Sequence, residues 1–318
     1  MNPDYDVLIL GAGISGISAA CHLLRECPGK RFAILERRHS MGGTWDLFRY
    51  PGIRSDSDMS TFGFDFKPWN KPSVLADGPS ILNYIKETAR EFRVEDKIIY
   101  HQKVTRADWD SQQQRWTVTA LNEQSGETTT YTAAFVLGCM GYYNYDQGFR
   151  PHFRDEEKFK GDILHPQHWP ENYDYSGKKV VIIGSGATAV TLLPTMTDKA
   201  AHVTMLQRSP TYVASVPSVD PLHLAMSKYL PPKVVYKATR LRNTRLQSFI
   251  YQLSRRQPEL LRKFLLSRVR AQLGGSSDMK HFTPSYNPWD QRLCAVPSGD
   301  MFKAIRAGKA SVVTDQID

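Results

Sequence analysis

Tyr5-Asp-Val-Leu-Ile-Leu-Gly-Ala-Gly-Ile-Ser-Gly16 reads as a strand, a glycine turn and the start of a helix. Val7 to Leu10 is the short unbroken apolar run of a parallel strand covered on both faces. From Ile14 to Leu24 small and apolar residues predominate, which predicts a helix. In this G-x-G-x-x-G pattern Gly11 permits the tight turn, Gly13 lets backbone approach a pyrophosphate, and Gly16 lets the helix sit close on the strand. Together with Ser15 they form a cradle at a helix N-terminus, where unpaired N–H groups and partial positive charge suit phosphates. Arg31 to Leu35 predicts a second strand. Glu36 follows it, twenty residues past Gly16, where a carboxylate can accept hydrogen bonds from ribose hydroxyls. The stretch therefore specifies an α/β unit of Rossmann type that binds a dinucleotide.

The pattern returns later in the chain. Lys179 to Ile183 predicts a strand, and Gly184-Ser-Gly186-Ala187-Thr188-Ala189 opens a helix that runs through Met196. Alanine in the third position is an accepted variant. After the next strand, His202 to Leu206, stand Gln207, Arg208 and Ser209, with Arg208 nineteen residues past Ala189. A carboxylate there would repel a 2′-phosphate, whereas a guanidinium grips one by a bidentate contact. One loop is thus expected to read a free ribose and the other a phosphorylated one, which points to NADPH in the second.

Between the loops, Pro79 to Phe92 has helical spacing, and Val104–Trp109, Trp116–Ala120 and Thr128–Tyr131 predict an antiparallel meander. Ala134 to Gly138 predicts a buried strand ending in glycine. The linker that follows contains Phe159-Lys-Gly-Asp-Ile-Leu-His-Pro-Gln-His-Trp-Pro170.

The spacing Phe159, Gly161, His165, Trp169, Pro170 resembles the fingerprint of the Baeyer–Villiger monooxygenases, class B flavoproteins that use NADPH and O2. Gly42-Gly43-Thr44-Trp45 and Tyr50-Pro-Gly-Ile-Arg-Ser-Asp56 resemble a further run of that family, as does Tyr286-Asn-Pro-Trp-Asp-Gln-Arg292. The likeness covers essentially the whole chain and is strongest to the ethionamide-activating branch. It implies FAD in the first unit, with Gly43, Thr44, Trp45 and Asp56 among its contacts and Trp45 and Tyr50 packed on the flavin ring. It implies NADPH on Gly184, Gly186, Ala187, Thr188, Arg208 and Ser209. The family's catalytic arginine maps to Arg292, oriented by Asp56, and would steady a C4a-peroxyflavin anion that attacks a ketone to give an ester. An arginine suits that role because it cannot give up its charge. His165 would couple cofactor binding to domain movement. Substrates implied by likeness are ketones and the sulfur of thioethers or thioamides. Two other readings stay open: a flavin-containing monooxygenase acting on nitrogen or sulfur, and a non-catalytic nucleotide-binding remnant. A disulfide reductase is disfavoured, since Gly42 to Leu47 holds no cysteine pair.

The expected organisation is an FAD-binding domain at 1–145, a linker at 146–178 and an NADP-binding domain at 179–298 with a helical insert at 221–273. Residues 299–318 would begin a return to the FAD domain. Family members continue well beyond the position of Asp318, which implies weaker FAD retention and an exposed sheet edge in this chain.

At 318 residues, 41% hydrophobic and 23% charged, the composition is that of a soluble globular protein. No apolar run approaches a membrane span, and the acidic start does not read as a secretory signal, so the cytoplasm is expected. Cys21, Cys27, Cys139 and Cys294 suggest no disulfide framework. No metal site is expected, because His165 and His168 flank Pro166 without a second ligand pair. The net charge of +9 is concentrated: residues 228–270 hold twelve Lys and Arg against one acid, Glu259. Pro231-Pro232 and Pro258 punctuate helices there, whose basic face predicts either solvation or peripheral contact with the inner face of an anionic membrane. No motif for nucleic acid accompanies it.

Overall fold

The structure is a computed structural model and describes residues 3–317. The chain is mixed α/β and divides into two compact units, the first made of the residues up to Arg49 plus Gly78–Phe149, the second of Tyr50–Asp77 plus everything from Arg150 onward.

In the first unit β1 (Tyr5–Leu10), α1 (Ile14–Glu26) and β2 (Phe32–Leu35) form the expected strand–helix–strand. α1 buries Gly16, Ile17, Ala20 and Cys21, one face at helical spacing, and Gly16 lies beside Ile9 of β1. Leu8 and Leu10 of β1 join a separate cluster with Ala33, Leu35, Val118 and Ala133. Covering β1 on both faces is what its unbroken apolar run requires, and each fully buried Leu or Ile contributes about 1.5–3 kcal/mol. A short α2 (Thr44–Leu47) follows, and α3 (Met59–Phe62) already belongs to the second unit. α4 (Gly78–Glu91) turns Ile81, Tyr84, Ile85, Thr88 and Ala89 inward.

The sheet is completed by β3 (Ile98–Ile99), β4 (Lys103–Asp110), β5 (Arg115–Leu121) and β6 (Thr128–Gly138), in the order β3-β2-β1-β6-β5-β4. The third meander strand and the glycine-terminated strand, expected separately, are one element of eleven residues. Its first half pairs antiparallel with β5 and its second half parallel with β1. Nor is its second half buried: Phe135 is 68% and Leu137 40% exposed. An apolar run identifies a strand but does not say whether anything covers both of its faces.

The second unit holds β7 (Lys179–Ile183), α5 (Ala187–Met196), β8 (His202–Gln207) and β9 (Tyr212–Val216). Helices α6 (Pro221–Ser227), α7 (Pro232–Arg256) and α8 (Pro258–Leu273) each begin with proline at the first helical position, where its missing N–H is harmless. β10 (Leu293–Pro297), α9 (Asp300–Arg306) and β11 (Ala310–Thr314) follow. β11, β8 and β7 form a parallel sheet in that order, and β10 pairs with β9.

Three expectations about organisation are corrected here. Residues 299–318 do not begin a return to the first unit, because β11 takes the register Ala310↔Val203 to Thr314↔Gln207 on β8. Residues 50–77 leave the first unit: Ser55 N–H donates to Ala76 O and Val74 N–H to Ser218 O, while Tyr236 of α7 bonds Phe64 O. The linker 146–178 is divided between the units at Phe149 and Arg150. Backbone pairing distant in sequence decides the first two, and no local pattern encodes it.

Candidate functional site

The first glycine loop borders a cavity of about 590 Å³ in the first unit. Gly11, Gly13, Ser15, Glu36, Gly43, Thr44 and Trp45 all line it. Gly16 lies behind, and a Cβ there would fall 1.9 Å from Gly11 O, so only glycine lets α1 sit this close to the loop. The N-cap of α1 is Gly13, with no side chain bonded to the first-turn amides. Those N–H groups are the donors a pyrophosphate needs.

Glu36 is 8% exposed. Its Oε2 accepts from Ala12 N–H at 2.7 Å and its Oε1 from Arg38 N–H at 2.9 Å. Two backbone donors thus fix the carboxylate at the end of β2, with lone pairs left for ribose hydroxyls. These residues fit the adenosine diphosphate half of FAD.

Sequence reasoning missed a second group on the same cavity. Arg38 Nη2 pairs with the buried Asp46 Oδ2 at 2.8 Å, and its guanidinium lies 5.9 Å from the centre of the Tyr145 ring. Ser40 also donates to Asp46. Burial, then the nearby Glu36, pushes the Tyr145 phenol above its ordinary range. Arg37, beside Arg38, bonds Glu123 Oε2 at 2.6 Å and also Asp146, tying the 142–146 segment to the meander. The available signal was two basic residues directly after the ribose-reading acid and an acid directly after Trp45.

Tyr50 is buried in the second unit, bonded to Thr188 in the first turn of α5. Burial pushes its phenol up.

The second glycine loop lies in the second unit between β7 and α5. Gly184 N–H donates to Leu206 O at 2.8 Å, and Ser185 Oγ to Ser209 O at 3.3 Å. Gly186 is the N-cap of α5, again without a side-chain cap, and Ala187 and Thr188 form the first turn. Arg208 is exposed at the end of β8 and its side chain has no partner among the described residues.

Arg292 is brought to this loop. A Cβ built on Gly186 would stand 2.9 Å from Arg292 Nη1 and 3.3 Å from its Cζ, so the guanidinium rests on bare backbone. Two residues on, Cys294 Sγ lies 3.9 Å from Ser185 O. The loop before Arg292 is clamped: Tyr286 hydroxyl donates to Arg292 O at 2.9 Å, Tyr212 hydroxyl to Tyr286 O at 2.7 Å, and Arg262 of α8 to both Tyr212 Oη and Tyr286 O.

Asp56 is exposed and forms no ion pair or hydrogen bond with Arg292 among the described residues. Both still act on the Cys294 thiol, which burial pushes up to about 11, with Arg292 pulling it down and Asp56 pushing it up. The arginine two residues before Asp56 is the one tied down: Arg54 Nη1 bonds Asp300 Oδ2 at 2.7 Å, and its Nη2 is buried without a partner.

The fingerprint folds on itself within the second unit. The Phe159 ring covers Gly161, where a Cβ would lie 2.7 Å away. His165 Nδ1 accepts from Gln167 N–H at 3.2 Å, capping the short turn Pro166–His168. Trp169 meets Tyr173 edge-on at 6.0 Å, and Tyr173 hydroxyl donates to Asp162, as does Lys178. Pro170 is exposed. Among the described residues no group of three His, Cys, Asp or Glu could hold a metal ion.

Residues 5–226 match the model of a family described as flavin-binding monooxygenase-like. The chain is 58% identical over 319 residues to a probable FAD-binding monooxygenase AlmA of Acinetobacter baylyi, covering 100% of this chain and 64% of that one. It is 54% identical over 319 residues to the FAD-containing monooxygenase EthA of Mycolicibacterium smegmatis, with the same coverage. The solved structure of an oxidized steroid monooxygenase bound to NADP superposes with a TM-score of 0.77 at 23% identity, over 98% of this chain and 65% of that one. The chain therefore spans about two thirds of the length of the proteins it resembles.

Proposed function

The chain belongs to the flavin-binding monooxygenase-like family, and from that membership we propose that it forms the FAD- and NADPH-binding core of an O2-dependent monooxygenase of Baeyer–Villiger type. The observation that carries the reading is the guanidinium of Arg292 resting on Gly186 in the second nucleotide loop. FAD, when bound, supplies acceptance of hydride from NADPH and activation of O2.

The protein's own residues do the rest. The open first turn of α1 binds the FAD pyrophosphate, and Glu36, fixed by two amides, holds a ribose. Trp45, Thr44 and Gly43 wall the same cavity. Gly184, Gly186, Ala187 and Thr188 receive the NADPH pyrophosphate, with Arg208 and Ser209 on its 2′-phosphate. Arg292 is a fixed cation for negative charge that develops on oxygen, preset because Tyr286, Tyr212 and Arg262 hold its loop before any ligand arrives. Asp56 is assigned, from the family resemblance, to orienting Arg292 once the cofactors are bound. The fingerprint residues Phe159, Gly161, His165, Trp169 and Pro170 are assigned to coupling cofactor binding to domain movement.

Substrates are proposed as small ketones, converted to esters, with oxidation of thioether or thioamide sulfur alongside. The working location is the cytoplasm, with residues 228–270 at the inner face of the membrane; among the described residues no helix is long and apolar enough to cross one.

The visible spectrum of the purified chain, before and after anaerobic NADPH, tests the core reading. Oxidised-flavin absorbance that bleaches supports it; a colourless protein that takes up no added FAD refutes it. Mass analysis of products from a ketone and a thioether then separates carbon from sulfur oxygenation. The exposed Phe135 and Leu137 on β6 favour one second reading, a nucleotide-binding core that oxygenates nothing alone. Flavin reduction without product would support that reading.

A further inference from the structure

The basic residues between Lys228 and Arg270 fall into two sets. Four are used by the fold: Arg240 donates to the carbonyls of Ser60, Thr61 and Gly63, Arg242 pairs with Asp220, Arg255 with Asp290, and Arg262 bonds Tyr212 and Tyr286. The side chains of the other eight, among them Lys237, Arg245, Lys263 and Arg268, have no hydrogen bond or ion pair among the described residues. A charge cluster that served only to hold helices together would not leave most of its members unused.

The unused cations share their faces with large apolar side chains. On α7, Val234, Leu241, Arg245 and Phe249 recur at steps of seven, four and four and are all exposed, Phe249 at 65%. On α8, Leu260, Phe264 and Arg268 recur at steps of four with Lys263 alongside, and Phe264 is 58% exposed. The opposite sides, Val235, Tyr236 and Thr239 on α7 and Leu261, Val269 and Leu273 on α8, are buried. Both helices are thus apolar inward, as packing requires, and apolar outward as well, which packing does not explain.

We propose that the outward faces of α7 and α8 form a docking surface for an anionic membrane leaflet. Charge complementarity selects this occupant: Glu259 is the one acid between Lys228 and Arg270. Lipid headgroup phosphates match the free cations, and the acyl boundary beneath them matches Phe249, Phe264, Leu241 and Leu260. The long aliphatic stems of Arg245 and Lys263 reach the phosphates while the rings enter more deeply. A duplex nucleic acid would use the cations but not the outward phenylalanines, since its contacts are dominated by phosphate. The surface is independent of the oxygenation chemistry.

The test is co-sedimentation of the full chain with phosphatidylcholine vesicles, with and without phosphatidylglycerol, at low and high salt. Binding is expected only with phosphatidylglycerol and falls with salt. Neutralising one cation lowers the partition coefficient roughly fivefold. The triple variant Arg245→Gln, Lys263→Gln, Arg268→Gln should therefore lose binding on the order of a hundredfold. The pair Phe249→Ser and Phe264→Ser should lose about tenfold per ring and be released by salt more readily. Unchanged circular dichroism of these variants is expected, because none of the replaced side chains bonds to the fold.

Four results would overturn the proposal. They are no binding at low salt, equal binding to neutral vesicles, binding of duplex DNA that the phenylalanine pair leaves intact while vesicles are ignored, and self-association abolished by that pair without any vesicle binding. The last would mean that a second copy covers the face.

Discussion

Gly16→Ala should damage the first nucleotide site more than it damages the fold. The added Cβ would lie 1.9 Å from Gly11 O and 3.1 Å from its carbonyl carbon. Heavy atoms in ordinary contact stand about 3.5 Å apart, so loop or helix must retreat by over 1 Å. Overpacking of this kind costs about 1–3 kcal/mol, and alanine in a helix returns roughly 1 kcal/mol. The net loss of stability is therefore modest, on the order of 1 kcal/mol. The loop displacement is not modest, because about 1 Å of misplacement at a positioned site can cost a hundredfold. Urea unfolding of apoprotein should show a small shift of midpoint, while FAD titration by quenching of flavin fluorescence should show affinity down by about 10- to 100-fold. Unchanged FAD affinity would refute the reasoning, and so would a stability loss large enough to explain the binding loss by itself. Gly186→Ala is the control: its clash is with the movable end of Arg292, 2.9 Å away, so folding and FAD affinity should be unaltered.

Arg208→Ala should raise the Michaelis constant for NADPH roughly 10- to 100-fold, at about 1.5–3 kcal/mol per charged bond, and leave that for NADH almost unchanged; steady-state oxidation of both nucleotides checks it, and equal effects sink it. Arg292→Ala should keep NADPH-driven flavin reduction but lower ester formation by about 100- to 1,000-fold, read by stopped-flow absorbance and product analysis; an unaltered yield removes Arg292 from the chemistry. Asp220 caps α6 through Leu222 and His223 N–H and pairs with Arg242. Burial raises its carboxyl, but the Arg242 bond and the two amides outweigh that and hold it below the ordinary value. A depressed folded pKa stabilises above the unfolded value of about 3.9 and is lost as pH falls through the folded one. Asp220→Ala should therefore cost about 0.5–2 kcal/mol at neutral pH and less as the acid limb is descended, measured as urea midpoints across pH; a loss that grows toward low pH would contradict the cap.

Sequence alone was enough for both strand–turn–helix units, since each rests on local chemistry. A glycine that must accept a colliding carbonyl, an apolar run that must be covered, a carboxylate or guanidinium at a fixed count beyond the turn are properties of a few dozen consecutive residues. The proline starts of α6, α7 and α8 were legible for the same reason. What lay beyond reach depended on partners far along the chain. Tyr50 and Asp56 follow Trp45 closely, yet the chain passes from the first unit into the second at Tyr50, a boundary that no local pattern marks. β11 joined β8 through registry of backbone amides, which leaves no mark on composition. Only the tertiary structure laid Arg292 on Gly186, more than a hundred residues earlier, because Arg262, Tyr212 and Tyr286 bend its loop there. Local stereochemistry wrote the two nucleotide cradles into the sequence; closure of long loops by scattered polar contacts, invisible to any short window, decided which cation came to rest on one of them.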